Sequence, residues 1–162
     1  MNRFIQLNDL IVRAAKFCAI AAFIVMVVSS SLQIVFRFIL NIPLPWSEEL
    51  SRYAFVWSTT LGISIYMRGR KHSSVDILEN FLPQGARRGL FVVIDLLCEV
   101  FFAIMIFGGI KMVSVTMRQI SPSLSIPMGY MYLSIPISGL IMALMSAENL
   151  LKLFCSPQGG QN

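Results

Sequence analysis

Four apolar runs, each long enough to cross a lipid bilayer, occupy most of this 162-residue chain. An α-helix rises about 1.5 Å per residue, so about 20 mostly apolar residues cover the hydrocarbon core of a membrane. The runs predict spans at about residues 14–37, 50–67, 88–112 and 127–151. Composition supports the same reading. Hydrophobic residues make up 56% of the chain and charged residues 13%, with a mean hydropathy of +0.73. Soluble domains carry nearer a quarter charged residues, so this chain has too little polar surface for a water-soluble globule. An all-α membrane protein forming one domain over residues 1–162 is the expectation.

The first run invites a competing reading. Arg3, Arg13 and Lys16, then apolar residues, then Ser29, Ser30 and Ser31 have the layout of a cleaved secretory leader. The apolar run continues through Leu32, Ile34, Val35 and Phe36 to full spanning length, so a retained span is predicted.

Several function classes are excluded early. The three cysteines, Cys18, Cys98 and Cys155, are odd in number and scattered, which argues against a disulfide framework. His72 is the single histidine, so no clustered metal-ligand set is visible and bis-histidine haem ligation within one chain is impossible. It also removes any Ser-His-Asp arrangement, and Gly108-Gly109 lies in an apolar run with no lysine following, unlike a phosphate loop. No enzyme activity, metal or cofactor is expected. Thirteen Lys and Arg against eight Asp and Glu leave a net charge of +5, but these cations sit between apolar runs and do not form a nucleic-acid-binding patch.

The cations instead orient the chain. Arg3, Arg13, Lys16, Arg68, Arg70, Lys71, Arg87, Arg88 and Lys152 fall on one side of the four spans, against Arg37, Arg52, Lys111 and Arg118 at the other. The excess of positive charge on cytoplasmic loops places both termini and the second loop in the cytoplasm.

The connections carry their own signals. Residues 41–49 are broken by Pro43 and Pro45 and then turn helical; Trp46 is a headgroup-layer anchor, and Glu48 and Glu49 stand in the first turn, where carboxylates meet the positive end of the helix dipole. Glu48 and Arg52 are four apart and share a face. Residues 73–82 place Val75, Ile77, Leu78, Phe81 and Leu82 on one side of a helix too short to span, predicting an amphipathic helix along the cytoplasmic membrane surface until Pro83. Residues 121–127, with Pro122 and Pro127, predict a tight external turn.

Within the spans, small residues recur at helical spacing: Ala15, Ala19 and Ala22; Ser51, Ala54, Ser58 and Gly62; Gly139, Ala143 and Ala147. Such faces let helix backbones approach closely. They either pack the bundle or meet another protein, and spacing alone does not choose. Asp95 and Glu99 lie four apart inside the third span, about 9 and 15 Å from its start at Gly89. An intramembrane acid marks either a proton or cation site or a hydrogen-bonded or protonated interhelical residue, and the second reading is favoured.

Taken in order, these residues resemble a known family. Arg37, then Pro45-Trp46-Ser47-Glu48-Glu49-Leu50-Ser51-Arg52-Tyr53 running into Phe55-Val56-Trp57, then Gly62, His72-Ser73-Ser74-Val75-Asp76, Leu82-Pro83, Ser125-Ile126-Pro127 and Tyr132 to Gly139, are similar to the small membrane subunit (Q, or DctQ-like) of TRAP transporters, the tripartite ATP-independent periplasmic transporters. The resemblance implies a four-span protein of the bacterial inner membrane with no transport site of its own. It implies a large M subunit holding substrate and sodium sites, and a soluble periplasmic substrate-binding protein, in a sodium symport of small carboxylates such as sialic acid or C4-dicarboxylates. The chain's end at Asn162 matches the unfused form. On this reading Arg37, Trp46, Glu48, Glu49 and Arg52 shape the external face where M is gripped or the binding protein docks; the plain alternative is a self-satisfied cap with Glu48 and Arg52 paired. Lipid is the remaining partner. A stand-alone four-helix transporter of the small multidrug type would carry an acid in its first span, which has none here. A purely structural membrane protein would need no ordered Trp-Ser-Glu-Glu element.

Overall fold

A computed structural model describes residues 2–67 and 84–155, and all regular elements among them are helices. They are α1 (Asn2–Phe38), α2 (Pro45–Met67), α3 (Gln84–Thr116), a single turn α4 (Gly129–Tyr132) and α5 (Ser134–Cys155). The expected surface helix at 73–82, with Val75, Leu78, Phe81 and Leu82, lies outside the described residues.

Local chemistry sets the helix ends. Arg37 in the last turn of α1 faces the negative end of the helix dipole. The chain then reverses at Asn41, whose φ of 55° is a left-handed conformation that asparagine tolerates. Pro45 opens α2, where its missing N–H costs nothing, and Ser47 donates both its amide (3.2 Å) and its hydroxyl (2.8 Å) to the Leu44 carbonyl. After α3 the chain forms a tight hairpin rather than starting a helix at Pro127. Ile120 and Pro127 bridge, Ser121 N–H donates to Ile126 O (2.9 Å), Met128 N–H donates to Gln119 O (2.9 Å), and Ser125 takes a φ of 55°.

The long helices pack in the order α1, α2, α5, α3. The core sits where the first three meet: Val12 and Ala15 of α1, Leu61 of α2, Ile141 and Met145 of α5, flanked by Ala19 and Trp57. The α3–α5 seam depends on glycines. A Cβ on Gly109 would stand 2.7 Å from Pro136 Cδ, and one on Gly139 would stand 3.2 Å from Ile106 Cγ1, so these positions admit the close backbone approach typical of membrane helix pairs.

Among the described residues, three stretches are long and apolar enough to cross a membrane: Gln6–Phe38, Val92–Thr116 and Gly129–Glu148. This is a multi-pass membrane architecture. α2 is the exception among the expected spans. Its 23 residues extend about 35 Å, but Glu48, Glu49, Arg52 and a run of hydroxyls lower its apolarity. α2 packs between α1 and α5. The hydroxyls are spent locally: Ser58 and Thr59 donate to Phe55 O, Thr60 to Val56 O, and Ser64 to both Thr60 O and, across the seam, Ser138 O (3.2 Å). A hydroxyl bonded to its own helix is compatible with an apolar setting.

Candidate functional site

The end of the bundle at the α1–α2 and α3–α4 connections concentrates the polar side chains singled out from the sequence. Glu48 and Glu49 are neighbours in chain but point to different tasks. Glu48 pairs with Arg52 at 3.0 Å, with side chains 58% and 63% exposed, and accepts a long 3.4 Å bond from Gln33 Nε2 of α1. An exposed pair one helical turn apart is worth under about 1 kcal/mol.

Glu49 is half-buried and closes a clasp. Its carboxylate accepts from Tyr53 OH (2.9 Å), from Ser121 Oγ, and from the backbone amides of Ser123 (3.1 Å) and Leu124 (3.2 Å). Four donors, three of them from the hairpin, converge on one side chain from α2. The Ser121 bond, opposed by burial and helped by Tyr53 and the two amides, holds this carboxyl below its ordinary range. A carboxylate that accepts several hydrogen bonds is stabilised in its charged form. About two turns further along α2, Trp57 Nε1 donates to Tyr130 O at 3.2 Å, fastening α2 to α4. Trp46 and Arg37 are exposed, and the Arg37 guanidinium lies 5.8 Å from the Phe38 ring centroid.

The small-residue positions divide between inside and outside. Ala54 and Gly139 are buried, Ser51, Ser58, Ala143 and Ala147 partly so, and Gly62 is exposed with open space where a Cβ would stand. The surface of α2 that is buried within the chain runs instead through Ser47, Ala54, Leu61 and Ser64.

Asp95 is buried on α3, and Glu99, one turn on, stands beside Ser146 of α5. Glu99 Oε1 and Ser146 Oγ are nevertheless buried without a hydrogen bond. Toward the same end, Asn8 Nδ2 of α1 donates to Glu148 Oε2 of α5 at 2.6 Å, with Asn8 0% and Glu148 3% exposed. The side chain of Arg88, two turns before Asp95, lies outside those described.

Neither Asn8 and Glu148 nor the donors to Glu49 were singled out from the sequence. The turn at 121–127 was visible, but nothing local joins it to a glutamate 72 positions earlier. Among the described residues no group of three or more His, Cys, Asp or Glu side chains is placed to hold a metal ion. The chemistry on view is architectural: carboxylates used as hydrogen-bond acceptors between elements.

The family model described as Tripartite ATP-independent periplasmic transporters, DctQ component, matches residues 26–156. The chain is similar to a Haemophilus influenzae protein named as a TRAP transporter small permease protein, 25% identical over 135 residues that cover 83% of this chain and 82% of the relative. It is 29% identical over 124 residues to the sialic acid TRAP transporter small permease protein SiaQ of Vibrio cholerae, covering 75% and 72%. A third relative, the sialic acid TRAP transporter permease protein SiaT of Haemophilus influenzae, is 30% identical over 110 residues, 68% of this chain but only 18% of SiaT.

Proposed function

We propose a scaffolding role for this chain, which belongs to the DctQ family of tripartite ATP-independent periplasmic transporter components: it braces a large membrane subunit, M, during sodium-coupled, binding-protein-dependent uptake of a small carboxylate. The observation that carries this reading is the SiaT match. There a region like this chain makes up 18% of one much longer permease, so the two parts share a polypeptide. Separate subunits doing the same work would meet through a permanent interface.

The geometry is consistent with a brace. The start of α2 is tied to the 121–127 hairpin by the Glu49 clasp and to α4 by the Trp57–Tyr130 bond, which makes that end of the bundle stiff. Arg37, Trp46, Glu48 and Arg52 are exposed around it, where M or a periplasmic substrate-binding protein has access. In this reading α2 is the fourth span, its polar side chains shielded by α1, α5 and M. Both termini face the cytoplasm of a bacterial inner membrane, in keeping with the distribution of cations. The sialic acid named for SiaQ and SiaT makes a sugar acid the first substrate to try, with a C4-dicarboxylate next.

Uptake in cells that carry M and the binding protein provides the test. Removing this chain is expected to abolish sodium-driven uptake, and supplying it as the double variant Glu48→Ala with Glu49→Ala is expected to restore only part. Full uptake without the chain would overturn the scaffold and favour a separate structural or transport role. Full uptake with the double variant would remove the external cluster from the mechanism.

A further inference from the structure

The outer half of α3 carries a second unassigned feature. α3 is an edge helix, packed on α5 and α4, and one exposed stripe runs along its free side: Ile104 (63% exposed), Phe107 (74%), Lys111, Ser114 and, just past the helix, Arg118. The spacings of 3, 4 and 3 keep Ile104, Phe107, Lys111 and Ser114 on one face, and Arg118 follows two residues beyond the helix end. The stripe changes character along its length. Toward the membrane centre it is apolar, and within the last two turns it becomes cationic.

Neither cation has a carboxylate within salt-bridge reach among the described residues. The acids at this end of the bundle are already engaged, Glu48 with Arg52 and Glu49 with the hairpin. Ser114 spends its proton on Lys111 O at 2.7 Å and offers only an acceptor lone pair. Two unmatched positive charges therefore stand directly above exposed hydrocarbon-facing side chains. Lys111 lies within the apolar stretch Val92–Thr116, about 10 Å along the helix axis before Arg118. A lysine stem of four methylenes reaches outward to the headgroup layer, which brings its ammonium to the level of the arginine fork. Arginine presents paired N–H donors that match phosphate oxygens.

We propose that this face binds an anionic phospholipid, its phosphate held between Lys111 and Arg118 and one acyl chain lying along Phe107 and Ile104. The site needs a molecule that is both acidic and apolar within about 10 Å, because Lys111 is set among side chains facing the hydrocarbon. A soluble acidic protein meets the first condition and not the second. The site holds whichever side of the membrane this end occupies.

The test is native mass spectrometry of the purified full-length chain reconstituted in bilayer discs of equal phosphatidylglycerol and phosphatidylcholine. Each interfacial cation is expected to favour the anionic lipid about fivefold, so the wild type should retain phosphatidylglycerol over phosphatidylcholine by at least tenfold. K111Q/R118Q should fall to within twofold of parity, while the charge-preserving K111R/R118K keeps the preference. The single variants K111Q and R118Q, each expected to lose about fivefold, serve if the double variant does not fold. No preference in the wild type, or an undiminished preference in the variants lacking one or both charges, overturns the proposal. So does loss of the bound lipid when M is added, which would mark the face as a protein contact.

Discussion

The two ends of this bundle use carboxylates in opposite ways. At the hairpin end Glu49 gathers four donors from α2 and from a hairpin more than 70 positions away. At the other end Glu148, far more deeply buried, receives the amide of Asn8 at 2.6 Å, and that amide's own Oδ1 is left without a bond. The hairpin end is a satisfied polar web that fixes a loop. The opposite end holds the Asn8–Glu148 bond between two helix faces, in a region where atoms of Glu99 and Ser146 lie buried without a hydrogen bond. A well-satisfied network rigidifies, and a sparsely satisfied one stores unused hydrogen-bonding capacity. Stiffness is thus expected at the end where the hairpin is clasped.

The largest effect should come from breaking the clasp. Glu49→Ala leaves two hydroxyls and two amides without their acceptor, and is expected to cost about 2–4 kcal/mol, read as a fall in unfolding temperature in detergent. A cost no greater than that of Glu48→Ala would erase the contrast between the ends. The clasp also has a pH signature. Because its carboxyl sits below its ordinary range in the folded chain, the stability it contributes is present in full above the ordinary carboxylate pKa and is lost as pH falls through the lowered folded value. Wild type should therefore lose stability below about pH 4 relative to Glu49→Gln, with no differential change between pH 6 and 8.

The α3–α5 seam comes next. Gly109→Ala puts a methyl 2.7 Å from Pro136 Cδ and 3.0 Å from its backbone nitrogen, for an expected loss of about 1–3 kcal/mol from overpacking. Gly62→Ala, in open space, should leave the isolated chain unchanged. If Gly62→Ala weakens association with M, that exposed face of α2 is where the partner packs. At the opposite end Asn8→Leu removes the 2.6 Å donor to a buried glutamate and is expected to cost about 1–2 kcal/mol, less than Glu49→Ala. A larger loss would reverse the ranking of the two ends. Smallest of all, Arg52→Ala should cost under about 1 kcal/mol, and less at high salt.

How much of this was legible beforehand follows from what kind of signal each feature leaves. Helix positions follow from unbroken apolar runs, and the Glu48–Arg52 pair from a four-residue spacing. The hairpin at 121–127 announced itself through Pro122 and Pro127, although Pro127 bridges to Ile120 where a first helical turn was expected. The task of Glu49 was out of reach. A glutamate in the first turn of a helix is explained well enough by the helix dipole, so nothing demanded a distant partner. Asn8 and Glu148 meet only because the packing brings the start of α1 to the last turns of α5. Ser64 bonding to Ser138 across α2 and α5 is hidden in the same way. The reduced apolarity of α2 was visible in its serines and threonines, but the packing order that places it between two other helices was not.

The central claim is that this chain is a brace for a larger permease, and co-purification tests it most directly. Tagged chain expressed with the M subunit of the same transporter and extracted in mild detergent should elute as one complex of fixed stoichiometry, with M unstable or absent from the membrane when the chain is omitted. A chain that elutes alone while M remains folded and active without it would contradict the account.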